Sequence, residues 1–455
     1  MKTKLHRKSL QIFQLTLLGA LVGLLIGIIG ALFLLVLLLV QYLYNLALGA
    51  FIKDSFFYYV FIVLFSVVLT VFGVYIVKYF EPKAGGSGVQ EVEGILENKR
   101  RISCQKLLPI KFIGGIFSLS AGLVLGREGP MIHMGAAVGD MLKKLGKFNS
   151  EYGHILIASG AGAGLCVAFN APLAGILFVI EEMHYQFKYS FKSIQTVIAA
   201  CVIADITLNV IMLNLGFNVR ILADIPMMVY QMPELSSLWL FVIFGIFFGL
   251  IGVIFNRGMI YVANFFVRQK KYSFWFMVVL VGLIIGLLSI FFPEAKGGGY
   301  TLIPEALKLS IGWHLLILIF IIRLFTTWFS YGTGVVGGFF TPMLALGTVF
   351  GVIFGMIVNL LLPDIAPDPQ IFAIAGMSAL FTATVGAPLT GIILVIELTM
   401  NYNLILPLIL TCFSATISAM CFGARPIYAM LLKRTIALEN RKNLYLRLNR
   451  LIRKK

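Results

Sequence analysis

Charge is scarce in this chain of 455 residues. Asp, Glu, Lys and Arg make up 12% of it, about half the share of an ordinary soluble domain. Length alone would suggest about three soluble domains, but too few charged residues are present to coat them. Residues 9–52 pass without one Asp, Glu, Lys or Arg, and a helix needs only about 20 apolar residues to cross a bilayer. Cysteine is sparse as well. Cys104, Cys166, Cys201, Cys412 and Cys421 show no CxxC spacing, which argues against a zinc ribbon or a disulfide framework. His133, His154 and His184 are too scattered for a helical metal pair, so no metal and no cofactor are expected. What the chain has instead is hydrophobic residues, 60% of the total. It reads as an all-α polytopic protein of the plasma (inner) membrane, and its first apolar run is far too long for a cleaved signal peptide.

The charge that is present sits at the ends. The formal net charge is +17. Lys2, Lys4, Arg7 and Lys8 open the chain, and the segment from Arg425 to the end holds ten basic residues against Glu439. Residues 9–424 are left with only +4. Basic flanks beside apolar spans are the positive-inside pattern, so both termini are expected in the cytoplasm and the number of spans is expected to be even. Nucleic acid is not an expected partner; membrane lipid is.

Glycine and proline interrupt many apolar stretches, near 84–94, 114–130, 160–172, 332–342 and 386–391. Irregular backbone at membrane depth is tolerated only where it is buried in protein or lines an aqueous path. Broken helices therefore point to a transport pathway. Residues 111–139 align without gaps on 323–351, matching Gly122/Gly334, Gly126/Gly338, Pro130/Pro342, Gly135/Gly347 and Gly139/Gly351 among others. A second block, 171–176, aligns on 387–392, with Glu181 meeting Glu397. A duplicated half with an odd number of spans inserts upside down relative to its twin, and equivalent broken helices then meet near the midplane. The expected architecture is an inverted-topology repeat of broken and tilted helices. Residues 1–8 form a basic N-terminus, 9–215 the first half, 216–432 the second, and 433–455 a basic tail.

Four constellations carry chemistry: the glycine-rich loop 85–89 around Ser87, the Gly126-Arg127-Glu128-Gly129-Pro130 loop, the loop 337–342 around Phe339 and Phe340, and Tyr428 before the tail. Glycine-rich starts to helices, here Gly86, Gly88, Gly129 and Gly338, leave N-terminal N–H groups and the positive dipole end free for an anion. Hydroxyls of Ser and Tyr add donors. A carboxylate such as Glu128 in a membrane segment is expensive and functional by default. Desolvation opposes its charge while N–H donors favour it, so it can switch between occupying an anion site and leaving it with a proton. Arg127 is expected to position backbone or raise the local potential. Lys111 reads equally as a source of positive potential or as a snorkelling lysine. Glu181 and Glu182 point about 100° apart on a helix, so one can take protons while the other supports it. Phe340 holds the repeat position of Glu128, and Leu398 that of Glu182. Residues 85–88 also fit the GxSG pattern of an intramembrane serine protease with His133 or His154 as base, but the repeat and the other loops have no role there.

The segments GSGVQ at 86–90, GREGP at 126–130, GGFFTP at 337–342, FNAPLAGILFVIEE at 169–182, VGAPLTGIILVIEL at 385–398 and RPIY at 425–428 resemble the signatures of the CLC chloride channels and transporters across nearly the whole chain. The resemblance implies a homodimer with one pathway per subunit and chloride as the bound substrate anion. It assigns Ser87, Tyr428 and the backbone N–H groups of Phe339 and Phe340 to a central anion site, Glu128 to the gate and Glu182 to an internal proton acceptor. Serine at 87 stands where related nitrate exchangers have Pro and fluoride exporters Met. Gln90 stands where the common pattern has Pro. The chain stops 27 residues after Tyr428, short of the CBS domains of larger relatives. The expected activity is antiport of chloride against protons; the alternative is a passive voltage- or pH-gated chloride channel of the same fold.

Overall fold

The computed structural model describes residues 2–101, 103–145, 150–183, 190–217 and 229–452. The side chains of residues 2–11, 145, 150 and 442–452, together with His184 and residues 453–455, lie outside the described set. The basic residues expected to set orientation thus fall partly outside it.

Helices dominate. The first eight are α1 (Lys2–Gly49), α2 (Phe56–Phe80), α3 (Val89–Leu96), α4 (Cys104–Ser120), α5 (Glu128–Leu145), α6 (Ser150–Phe169), α7 (Pro172–Glu182) and α8 (Phe191–Asn214). Eight more repeat that order: α9 (Leu238–Arg268), α10 (Lys271–Phe291), α11 (Leu302–Leu307), α12 (Trp313–Gly332), α13 (Phe340–Leu361), α14 (Pro369–Val385), α15 (Pro388–Thr399) and α16 (Ile405–Cys421). A closing helix, α17 (Ile427–Ile452), carries Tyr428. A single Pro-led helical turn follows both α2 and α10, at Pro82–Ala84 and Pro293–Ala295. α1 packs against α8 as α9 packs against α16, and α5 against α6 as α13 against α14. Among the described residues nine helices are long and apolar enough to cross a bilayer. The helices that carry the sequence motifs are shorter or heavily buried.

The glycines matched between the two sequence blocks have a physical reason. Gly135 on α5 and Gly160 on α6 touch backbone to backbone, so a Cβ on either would strike the other's carbonyl oxygen. Gly347 on α13 and Gly376 on α14 make the same reciprocal contact. Gly139 lies against the carbonyl of Leu156, and Gly351 against that of Phe372. Without a hydrophobic force between helices in lipid, close approach of small residues supplies the packing.

The inverted relation is directly visible where α7 meets α15. Glu181, near the C-terminus of α7, accepts from the N–H groups of Leu389 (3.0 Å) and Thr390 (2.7 Å) at the start of α15. Glu397, near the C-terminus of α15, accepts from Leu173 (3.0 Å) and Ala174 (2.7 Å) at the start of α7. Each carboxylate caps the other helix, so the pair runs antiparallel and each N-terminus receives the negative partner its dipole favours.

Replacing Gly135 or Gly347 with Val is expected to separate the paired helices at a cost of about 3 kcal/mol or more. Both variants should show the same drop in thermal unfolding midpoint in detergent, since the two contacts are equivalent.

Candidate functional site

The three glycine-rich loops are tied to one another by backbone. Gly86 donates to Val335 (2.7 Å) and accepts from Gly337 (3.1 Å). Gly126 and Gly338 exchange two bonds of 2.8 Å. The starts of α3, α5 and α13 are therefore held together by hydrogen bonds that need no particular side chain. Gly88 takes a left-handed φ of +91° and leaves α3 without a side-chain cap, and α13 likewise begins uncapped. The residues at these ends are buried, so the N–H groups a helix start leaves without an intrahelical partner lie away from the surface. Gly129 is needed for approach: a Cβ there would sit 2.8 Å from the Ser87 Cα.

Ser87 and Tyr428 are both fully buried. Their hydroxyls lie near each other, yet neither oxygen has a hydrogen-bond partner of normal geometry. A stranded buried hydroxyl costs about 1–3 kcal/mol, so the pair suits an anion that accepts from both. The Tyr428 ring stacks on Phe339 (5.4 Å between centroids, 20°) and Phe340 (5.9 Å, 25°). The two phenylalanines, singled out for their backbone N–H groups, thus also grip the tyrosine that supplies a hydroxyl.

Support comes from buried charge. Lys111 is fully buried and donates to the carbonyls of Ala84 (2.9 Å) and Gly86 (2.8 Å), so of its two readings the snorkelling one fails. Tyr331 packs edge-on against Phe339 (5.2 Å between centroids) with its hydroxyl beside Gly86 of the Ser87 loop. Gln90 is buried in the first turn of α3, which begins at Val89 in the expected register; unlike Pro, it keeps an N–H at that helix start. Arg100 holds Glu91 in a two-pronged pair (2.7 and 3.0 Å) and also pairs with Glu439. That network ties α3 to α17 and so keeps Ser87 in register with Tyr428.

Glu128 is fully buried at the first position of α5. Its Oε1 accepts from the Tyr300 hydroxyl (2.9 Å) and the Thr341 hydroxyl. Arg127 donates to the Ala168 carbonyl (3.1 Å) and lies 5.3 Å from the Tyr300 ring centroid; it contacts backbone and ring, as a positioning residue would. A cavity of about 620 Å³ is lined by Glu93, Glu181, Glu182, Arg425 and Lys433 among others. Glu93 of α3 and Glu182 at the end of α7 lie beside each other on this cavity.

The fold thus gathers Ser87, Tyr428, Phe339, Phe340, Glu128, Arg127 and the four loop glycines into one locus. Glu182 lines the cavity, while the Glu181 carboxylate is engaged at the start of α15. Sequence reading missed Glu93, Tyr300, Thr341 and Tyr331. Glu93 had a usable signal, a carboxylate one turn into the helix that follows the Ser87 loop. The protease pattern does not assemble: the Ser87 hydroxyl and both His133 ring nitrogens are without hydrogen-bond partners, so no Ser–His bond exists.

A sequence model of the voltage gated chloride channel family matches residues 69–420. The chain is 46% identical over 378 residues to the H(+)/Cl(-) exchange transporter ClcA of Vibrio parahaemolyticus, covering 82% of this chain and 79% of that protein. Its identity to the ClcA of Yersinia pestis is 44% over 378 residues, covering 82% and 77%. The crystal structure of a slow cyanobacterial Cl-/H+ antiporter superposes with a TM-score of 0.88 at 38% identity, covering 94% of this chain and 99% of that one. A eukaryotic CLC transporter shares the fold with a TM-score of 0.78 at 22% identity, over 93% of this chain and 74% of that one.

Lys111→Met should strand the Ala84 carbonyl and take one of two donors from that of Gly86, at a cost of about 2 kcal/mol. A lowered unfolding midpoint in detergent, with the oligomer mass unchanged, is the expected measurement.

Proposed function

The chain belongs to the voltage-gated chloride channel family, and from that premise we propose that it is a secondary antiporter exchanging chloride for protons, a transporter and not an enzyme. The observation that carries this reading is one chain's combination of a buried carboxylate at a helix start, two neighbouring buried hydroxyls without partners, and two carboxyl groups on one cavity.

In this reading chloride rests between Ser87 and Tyr428 and accepts from the N–H groups of Phe339 and Phe340. Helix ends and hydroxyls suit a permeant anion because they attract it without the full charge that would trap it. Glu128, ionised, fills the next anion position outward. Protonated, it loses its hold on the donors there and moves aside, and chloride takes the place. The proton then passes to the Glu182–Glu93 pair, where the cavity provides water. Each proton carried inward by this carboxylate leaves room for chloride moving the other way, which is coupling by competition for one site. Glu182 supports exchange over passive conduction, since a conductor of anions has no need of an inner proton acceptor.

We place both termini in the cytoplasm on the strength of the basic flanks, with residues 9–215 and 216–432 as the two halves, in the inner membrane. The protein acts as a homodimer with one pathway per subunit. α7 and α15, of 11 and 12 residues, are too short to span lipid, yet Leu173 and Leu389 on them are about half exposed. A second copy covers that face and keeps the neighbouring Glu181 and Glu397 from lipid.

In liposomes holding purified protein, a chloride gradient should drive protons uphill. Glu182→Ala should stop the protons while chloride still moves, and Glu128→Ala should uncouple the two. Chloride flux with no coupled protons in the unaltered protein would leave the passive channel instead. Light scattering in detergent should give the mass of two chains.

A further inference from the structure

Three hydroxyl and carboxyl groups meet at the gate from three separate elements. Glu128 begins α5, Thr341 lies in the first turn of α13, and Tyr300 stands in the loop just before α11. Both hydroxyls donate to the same carboxylate oxygen, Oε1, and they lie 3.3 Å from each other. The other oxygen, Oε2, has no partner. The carboxylate is thus held at one oxygen by side chains that the anion-site geometry does not otherwise use.

The tyrosine is held firmly. Arg323, fully buried, donates to the carbonyls of Ala295 (3.3 Å), Lys296 (3.2 Å) and Gly297 (3.1 Å). Gly297 in turn donates to Gly122 (2.9 Å). The loop carrying Tyr300 is therefore anchored to α12 and to the end of α4, and Arg127 sits beside the phenol ring. Tyr300 also lines a cavity of about 270 Å³ together with Ser289 and Lys296, so its ring stands between that cavity and Glu128.

We propose that Tyr300 and Thr341 form a two-hydroxyl latch that holds the Glu128 carboxylate in its anion-occupying position and thereby sets how fast the gate releases. The inference rests on the reading of Glu128 as the gate. Hydrogen bonds to an ionised acceptor are the strong ones, above all where water is excluded. Each O–H therefore favours the seated carboxylate over the displaced one, and a group that binds one state of a two-state element shifts its population. Tyr300 and Thr341 are positioning residues: they act on the gate, and the gate acts on the anion.

The test is the chloride turnover of purified protein in liposomes. Tyr300→Phe and Thr341→Ala should each raise it by about tenfold, the worth of one hydrogen bond to a charged group, with proton coupling retained. Thr341→Ser keeps the hydroxyl and should keep the original rate. In a Glu128→Ala background, where nothing remains to be latched, Tyr300→Phe and Thr341→Ala should change turnover by less than about twofold. Unchanged or slower turnover in the single variants overturns the latch. So does an equal rise in the Glu128→Ala background, which would mark a structural role, or a raised rate in Thr341→Ser. The exchange reading fails separately, if the unaltered protein moves chloride without protons; the chloride rates still decide the latch in that case.

Discussion

An unpaired backbone N–H inside a bilayer is costly unless something inside the protein answers it. That constraint governs this structure. Breaking helices at α3, α5 and α13 leaves such groups at membrane depth, and the break is tolerable only because the three loops are tied to each other and turned toward a shared interior. The bonds between Gly126 and Gly338, and between Gly86 and its neighbours at 335 and 337, fix the loops without any side chain. Side chains are then free to specialise: Lys111 and Arg100 are buried struts, and in the proposed reading Ser87 and Tyr428 are donors and Glu128 competes for the anion's place.

Duplication explains how such an arrangement can be built. One half supplies broken helices of a given polarity, and an inverted copy brings equivalent ends to meet them. The copies keep what the shared geometry requires. Glycine contacts recur at equivalent places in the α5–α6 and α13–α14 pairs, and the capping carboxylates Glu181 and Glu397 are repeat mates. They differ where the chemistry differs: Glu128 faces Phe340 across the repeat, and Glu182 faces Leu398. In the proposed reading one half handles protons, while the other contributes aromatic rings and N–H groups.

The all-α membrane fold, the repeat and the loop motifs were legible in the sequence because each leaves a local mark. Apolar length marks a span, and a glycine under a neighbour's carbonyl admits no other residue, so Gly135 and Gly347 match across the repeat. The partners of those residues were not legible. Tyr300 and Thr341 meet Glu128 only through the packing of three distant elements, and nothing in a Gly-Gly-Tyr or Phe-Thr-Pro run announces a carboxylate. Glu93 went unread: its place one turn into α3 was available as a signal, but not its companionship with Glu182, since α3 and α7 meet only in the folded bundle. Glu181 and Glu397 were visible as mates, yet which helix each would cap depends on an antiparallel docking that only the structure gives. Lys111 could be weighed two ways from sequence, and its depth of burial decided between them.

The crossed caps between α7 and α15 bear on where the inner carboxyl pair gets its coordinates. Glu182 follows Glu181 directly in the chain, and Glu181 is fastened to the first residues of α15, which belong to the opposite half. The inner end of the proposed proton route is therefore surveyed from the other repeat. Any sliding of one half past the other must carry Glu182 along with α15 or break the bonds at Leu389 and Thr390. Two halves stitched by crossed caps at Leu173, Ala174, Leu389 and Thr390 resist rocking at this seam, which favours side-chain motion over shear there.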